Sequence, residues 1–293
     1  MDSLNAIRYL MTRLRNVPGA IVLLEPIRRR LAKTDRTVLI EDFDGDLFYE
    51  VELRHHMGSH VFCYGSYSRH ILCILDALVE PGMTVVDVGA NSGEITVFAA
   101  KRVGPGGKVI AFEPLSSMAD RLGRNVALND FSQVTTVRMG LSDAERVVPI
   151  YGSETEFHDG TLNEGLATIH AGGDRTVELE RIQLTTLDDY AAGADIGDVD
   201  VIKVDVEGAE LDVLRGARRV LRDQRPWLIL EVSDLVGPEK EGRAAGVLDF
   251  LAGFDYSFFR ISRHKRLREI DTASLQCFQN VLACPPGKSP PAA

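Results

Sequence analysis

Carboxylates close several short apolar runs in the middle of this 293-residue chain. Asp87 lies in VVDVGANSGEIT (85–96), Glu113 in KVIAFEP, Asp205 and Glu207 in VIKVDVEGAE (201–210), and Glu231 in WLILEV. In the first run a buried strand leads straight into a glycine turn and then a helix. Gly89 and Gly93 let backbone approach a ligand where a β-carbon would collide, and the turn, with Ala90 and Asn91 inside it, exposes helix N-terminal amides. The spacing is G-x-N-x-G, not the G-x-G-x-x-G of dinucleotide enzymes, so nothing in it is dedicated to a pyrophosphate. A nucleoside without phosphate suits the turn, and S-adenosylmethionine is such a ligand, with Asp87 at the strand end able to receive its ammonium.

Glu113 follows the glycines by roughly 20 residues, where a Rossmann-type fold places the carboxylate that pairs with both ribose hydroxyls; Pro114 then fixes the chain. Asp143 in MGLSDAE comes just past the third strand. There a side-chain acceptor can meet an adenine amino group, with Leu141 and Ser142 beside the ring, although a turn-forming Ser-Asp explains the pair equally well. In VIKVDVEGAE, alternation sets Lys203, Asp205 and Glu207 on one side of an extended chain, yet a central parallel strand is buried on both faces. A buried Lys203 needs a partner, and Asp205, Glu207 and Glu231 are the choices.

Carboxylates at the ends of central strands lie at the crevice where doubly wound sheets bind ligands. They suit methyl transfer to an alcohol, which becomes a competent nucleophile when a carboxylate or imidazole takes its proton. His70, His158 and His170 are the imidazole candidates, the last two in a loop at 152–174 long enough to suspect function. Asp205 helping to hold a divalent cation such as Mg is the alternative route to a more acidic hydroxyl, but no full ligand set can be counted and none is assigned.

The elements that must position these groups follow from periodicity. Apolar residues recur at helical spacing from Leu4 to about Leu31, broken at Pro18-Gly19, which predicts two short helices. From Thr37 to Cys63 the pattern alternates around Asp44-Gly45, a hairpin signal. Residues 84–232 then alternate strand and helix: TVVDV, a helix from about Glu94, KVIAF, a helix from about Ser117, VTTVR, VDVIKV, a helix from Gly208, and WLILEV. That order is the signature of a parallel sheet with right-handed crossovers. RVVPIYG and TVELERIQL are two more strand-like pieces flanking the 152–174 loop. A helix at 244–251 and strands near 256–261 and 277–283 complete the sheet edge.

Bulk properties exclude more than they assign. With 45% hydrophobic and 26% charged residues the chain can bury a full core. Its formal charge of -10 opposes a nucleic-acid partner. The basic run in the first 36 residues (Arg8, Arg13, Arg15, Arg28, Arg29, Arg30, Lys33, Arg36) reads as a solvated helical face in preference to a lipid or polyanion site. Cys63, Cys73, Cys277 and Cys284 lack paired spacing and read as reduced and structural. No apolar run reaches the ~18 residues of a membrane span, so stable membrane insertion is not expected and a cytoplasmic location is the default.

The quoted residues resemble the FkbM-type methyltransferases. The resemblance runs from about Val61 to Pro285 and rests on EPGMTVVDVGANSGEIT, VIAFEPLSSMADRLGRNVALN, GLSDAE and above all VDVIKVDVEGAELDVLRGARRVL, since other methyltransferases share the first block but rarely K-V-D-V-E-G-A-E. It implies a Rossmann-like class I methyltransferase fold, an α/β doubly wound, seven-stranded, mostly parallel sheet. Together with the element pattern and the Pro-rich CPPGKSPPAA, the expected division is an N-terminal extension of helices and a β-hairpin (1–75), a methyltransferase domain (76–285) and a disordered tail (286–293), with homo-oligomerisation open. It implies S-adenosylmethionine as donor and O-methylation of a sugar, polyketide or other small natural product. Cofactor roles fall on Asp87, Gly89, Asn91, Gly93, Glu113 and Asp143, with Asp205 and Glu207 at the reaction face. One departure is that Ser68 follows Tyr67 where such sequences often carry an aromatic-Glu pair, which removes a Glu from the substrate side.

A nicotinamide-dependent oxidoreductase or epimerase is the competing enzyme class and should show G-x-G-x-x-G and commonly Tyr-x-x-x-Lys; neither is present. A methyltransferase fold kept only for binding should have lost cofactor glycines or carboxylates, which are intact. Within the enzyme reading, a protein or lipid acceptor stays open.

Overall fold

The computed structural model describes residues 3–17, 19–152, 159, 161–162, 167–171, 175–233, 243–262, 266–272, 275 and 278–291. The chain opens with α1 (Ser3–Leu14) and α2 (Ala20–Leu31), the hairpin β1 (Thr37–Phe43) and β2 (Leu47–Glu52), then α3 (His56–Tyr64) and α4 (Arg69–Leu78). The expected helix break and the Asp44-Gly45 turn fall where periodicity puts them. The alternation does not continue as strand to Cys63, however. Gly58 sits so close to the Glu52 carbonyl that a Cβ would lie 2.2 Å from its oxygen, and this contact lets helix α3 turn back against β2.

There follow β3 (Thr84–Val88), α5 (Glu94–Val103), β4 (Lys108–Phe112), α6 (Ser116–Ala127), β5 (Val134–Val137), β6 (Gly140–Leu141), β7 (Arg146–Gly152), β8 (Val177–Thr185) and α7 (Leu187–Ala194). The last third holds β9 (Val201–Val204), α8 (Glu210–Arg215), α9 (Arg218–Asp223), β10 (Trp227–Ser233), α10 (Arg243–Ala252), β11 (Ser257–Ile261), β12 (Leu267–Ile270) and β13 (Phe278–Cys284). Among the described residues the main sheet has eight strands in the order β12-β11-β13-β10-β9-β3-β4-β5. Its five central and right-hand strands are parallel, and β13, β11 and β12 add antiparallel pairs. The seven expected strands are present; β12 is the eighth, its LREI too short and too charged to read as a strand. The pieces RVVPIYG and TVELERIQL pair with each other and with β6 in a separate three-stranded sheet.

Chain order reverses at β3: β4 and β5 follow on one side, β9 and β10 on the other. Such a switch point opens a crevice beyond the carboxyl ends of the strands. One apolar layer covers the sheet with Val86, Ile110, Ile202, Leu228 and the residues of α8 to α10. The opposite layer joins Val85, Ala99 and Val201 to Met11, Leu24, Phe43 and Tyr49, so the N-terminal segment completes the core on that side.

Two buried arginines fasten this segment. Arg8 donates to the carbonyls of Val61 (3.1 Å) and Phe62 (2.6 Å) at the end of α3 and pairs with Asp42 at 2.7 Å. Arg28 donates to Ser59 Oγ (2.8 Å) and forms ion pairs with Glu25 (2.6 Å) and Asp159. Its guanidinium is the main cause holding the Glu25 carboxyl down to about 2, and it helps hold the Asp159 carboxyl low against the opposing effect of burial. Removing one partner of a buried pair strands the other charges. Arg28→Met is therefore expected to cost about 3 kcal/mol, read as a lower denaturant midpoint. Because both carboxyls have depressed values, the stability they contribute is present above the ordinary Glu value of 4.5 and is lost as pH falls toward 2; the difference between wild type and Arg28→Met should shrink across that window.

Candidate active site

The carboxyl ends of β3, β4, β9 and β10 open into one cavity of about 1660 Å³, roofed by α3, the Tyr67–His70 segment and residues 167–171. On the β3 side the chain leaves the sheet as Gly89-Ala90-Asn91, with Gly89 at φ +75° and Asn91 at φ +52°. A Cβ on Gly89 would stand 1.9 Å from the Asp205 carbonyl oxygen, so glycine is required for β3 and β9 to remain adjacent as they exit. Gly93, at φ +97°, lies against Leu122 and starts α5.

Glu113, at the tip of β4, is the carboxylate that the spacing anticipates. Its Oε2 accepts the Asn91 amide (2.8 Å) and its Oε1 the Leu115 amide (3.0 Å), which fixes it against the glycine turn. Burial pushes its carboxyl up to about 7, partly countered by those two amides. Pro114, Leu115, Gly140 and Leu141 continue the wall as an apolar slot. Glycine turn, carboxylate and slot fit an adenosyl ligand by their chemistry.

Other expected cofactor residues fall elsewhere. Asp87 is fully buried behind the wall: Thr96 Oγ1 donates to its Oδ2 at 2.6 Å and Lys203 lies 3.3 Å from its Oδ1, so it charges the site from within and is not presented to a ligand. Asp143 is half-exposed outside the cavity and pairs with Arg146 at 2.5 Å, which lowers its carboxyl. Ser142 is buried, and its hydroxyl accepts from Arg146 at 2.7 Å. Arg146, the first residue of the next strand-like piece, is the neighbour that claims both.

Lys203 bridges the glycine turn to the acidic side. Its Nζ donates to the Gly89 carbonyl (2.7 Å) and sits 3.3 Å from Asp87 and 3.6 Å from Asp205. Asp87 is thus its nearest carboxylate, a partner on the adjacent strand that reading along one strand does not offer. Burial favours the neutral amine, but the carboxylates of Asp87 and Asp205 win and raise its pKa above the ordinary value.

Asp205, Glu207 and Glu231 converge so that one carboxylate oxygen of each lies within 4.8 Å of the others. Burial, then the Asp205 charge, pushes the Glu207 carboxyl up to about 7, while burial and both neighbouring carboxylates raise Glu231. Glu207 is held at φ +53°, and both terminal nitrogens of Arg175 donate to its Oε2 at 3.1 Å. A non-glycine residue in that conformation persists only where its surroundings impose it, which is common at functional sites.

His70 and His170 line the cavity; His158 lies outside the described residues, as does Cys277. Sequence reading missed Glu94, His56, His60 and Arg175. Glu94, the first residue of α5, is buried and accepts the amides of Tyr67 (2.6 Å) and Ser68 (3.0 Å). It thereby stands close to where the resemblance leads one to expect a Glu after Tyr67. His56 and His60 each meet the Tyr67 ring edge to face within 6 Å and lie tilted against each other, all three lining the cavity. His60 Nδ1 bonds the His56 carbonyl at 2.8 Å, and burial lowers its imidazole to about 4, so it is neutral. The i, i+4 histidines were the available signal.

Residues 87–258 match the family described as Methyltransferase FkbM domain, and residues 8–145 match that described as Protein-L-isoaspartate(D-aspartate) O-methyltransferase. Among curated proteins, Methyltransferase sdnD of Sordaria araneosa is 32% identical over 165 residues, covering 49% of this chain and 61% of that protein. 2-O-methyltransferase NoeI of Sinorhizobium fredii is 25% identical over 195 residues, covering 62% and 76%. The chain spans between 10% and 66% of the length of the first three curated relatives it matches. A crystal structure of Methyltransferase FkbM from Methylobacillus flagellatus covers 90% of this chain and 60% of its own at 17% identity, with a TM-score of 0.44.

Gly89→Ala should lower the melting temperature by several degrees, about 2 kcal/mol or more, because the new Cβ meets backbone and the residue must keep a positive φ.

Proposed function

The chain belongs to the FkbM methyltransferase family and carries its S-adenosylmethionine-dependent methyltransferase domain, and we propose that it transfers the methyl group to a hydroxyl of a small molecule. The observation that carries this reading is one cavity with a ribose-type carboxylate, Glu113, on one wall and the Asp205–Glu207–Glu231 cluster on another. A cavity of about 1660 Å³ exceeds the roughly 300–1,000 Å³ of a site for a single drug-sized ligand, so donor and acceptor fit together. The name of NoeI, a 2-O-methyltransferase, supports a hydroxyl acceptor, and the aromatic face of His56, His60 and Tyr67 supports a ring-shaped one.

Bound S-adenosylmethionine supplies an electrophilic methyl on a sulfonium; the chain supplies orientation and a base. Asn91, Glu113 and the apolar slot hold the adenosyl half. Glu207 is the base of this proposal: Arg175 engages only its Oε2, leaving Oε1 to accept a proton, and a carboxyl near 7 is matched to neutral pH. The acceptor proton moves to Glu207 as its oxygen bonds the methyl carbon and the carbon–sulfur bond breaks; solvent then takes the proton. Lys203 and Arg175 offset part of the negative charge of the acidic cluster.

Three measurements test this. Calorimetry should show saturable binding of S-adenosylhomocysteine and none of NAD, with Glu113→Ala weakening it at least tenfold; preference for NAD would overturn the reading. With a hydroxylated acceptor, kcat should fall as pH drops through about 7, and Glu207→Gln should lower it about 10²-fold or more and remove that inflection. Activity that survives chelation supports proton transfer to carboxylate; activity lost to EDTA and restored by Mg would give the cluster a metal role instead.

A further inference from the structure

Fourteen large apolar side chains are exposed on the described surface, and half of them fall between Tyr9 and Ile27: Tyr9, Leu10, Val17, Ile21, Val22, Leu23 and Ile27. Helix α2 explains why. It buries only the narrow stripe Ala20, Leu24 and Arg28 at i, i+4, i+8, so Val22 and Leu23 point away from the core, exposed to 75% and 77%. Val17, Ile21, Val22 and Leu23 form the corner where α1 meets α2. Exposed apolar residues scattered singly need no explanation, but a cluster of this kind marks an interaction surface.

The charge around the corner names the partner. The first 36 residues carry eight basic and three acidic side chains, a net of +5 in a chain of -10, so the remainder is at -15. Arg8 and Arg28 are spent inside the fold, but Arg30, Lys33 and Arg36 are exposed and make no ion pair among the described residues. A second copy meeting this face through a two-fold axis would set the exposed cations Arg13, Arg30, Lys33 and Arg36 against like charge. Exposed apolar and cationic side chains on one segment, on a body of opposite sign, instead complement an anionic lipid surface, where the apolar side chains enter the headgroup boundary and arginines meet phosphates. We propose that the α1–α2 corner docks this protein on an anionic bilayer. Among the described residues no helix is long and apolar enough to cross a membrane, so the contact is peripheral. Ile21 is among the residues lining the cavity, so the corner adjoins it. The inference needs no assumption about the acceptor, and it goes beyond the methyl-transfer reading.

The test is co-sedimentation with phosphatidylcholine vesicles, with and without about 30 mol % phosphatidylglycerol. Binding should require the anionic lipid and fall severalfold as salt rises from about 0.1 to about 0.5 M. Val22→Asp/Leu23→Asp, two surface positions outside the cavity, should reduce binding at least tenfold while S-adenosylhomocysteine affinity and melting temperature stay at wild-type values. Arg30→Glu/Lys33→Glu should weaken it without touching the apolar corner. The proposal fails if anionic vesicles carry down no protein, if neutral vesicles bind equally, or if the substitutions change nothing. It also fails if the corner supports concentration-dependent self-association, removed by the same substitutions, without vesicle binding. Loss of S-adenosylhomocysteine binding in wild type would count against the methyl-transfer reading alone.

Discussion

The Lys203 ammonium, buried at the point where strand order reverses, is the interaction on which the site depends. It holds the Gly89 carbonyl at 2.7 Å and lies within reach of Asp87 on one strand and Asp205 on the next. A buried cation is costly alone and a buried carboxylate equally so; together they fix each other. The glycine turn and the acidic cluster are thus registered to one atom. Parallel pairing of Asp87 with Lys203 across β3 and β9 makes this possible, and Gly89, without a Cβ, lets the two strands leave the sheet in contact.

Much of this was legible in the residues because the local rules and the fold agree. The strands TVVDV, KVIAF, VIKV and WLILEV are short, apolar and punctuated by glycine or by helix starts, and all lie where periodicity puts them. The place of Glu113 at the tip of β4 was legible by spacing because a switch-point crevice lies beyond the carboxyl ends of the strands. What escaped was set by contacts distant in sequence. Helix α3 replaces an expected strand through the approach of Gly58 to Glu52. Asp87 is drawn inward by Thr96 and Lys203, and Asp143 outward by Arg146. The partner of Glu207, Arg175, lies 32 residues upstream, just before β8, with β8, α7 and β9 between the two.

The N-terminal segment shows the same division. Its helices and hairpin follow from pattern, but its two roles in the fold follow from which side chains become buried. Arg8 and Arg28 look like members of one basic run, yet they lie inside, satisfying carbonyls of α3 and the carboxylates of Glu25 and Asp159. The apolar residues of α2 look like core, yet most stay outside. Charge inside and hydrocarbon outside is the reverse of the ordinary pattern, and it results from a helix that gives the core only one narrow stripe, Ala20, Leu24 and Arg28.

Glu94 joins two parts of the cavity that chain order keeps apart. It starts the helix that the glycine turn leads into, and its carboxylate holds the amides of Tyr67 and Ser68 in another part of the lining. The glycine turn and the Tyr67–Ser68 backbone are therefore tied to one side chain. Free energy exchanged between two sites in this way is necessarily equal in both directions. Strain at either end of this contact therefore reaches the other through one carboxylate's two hydrogen bonds.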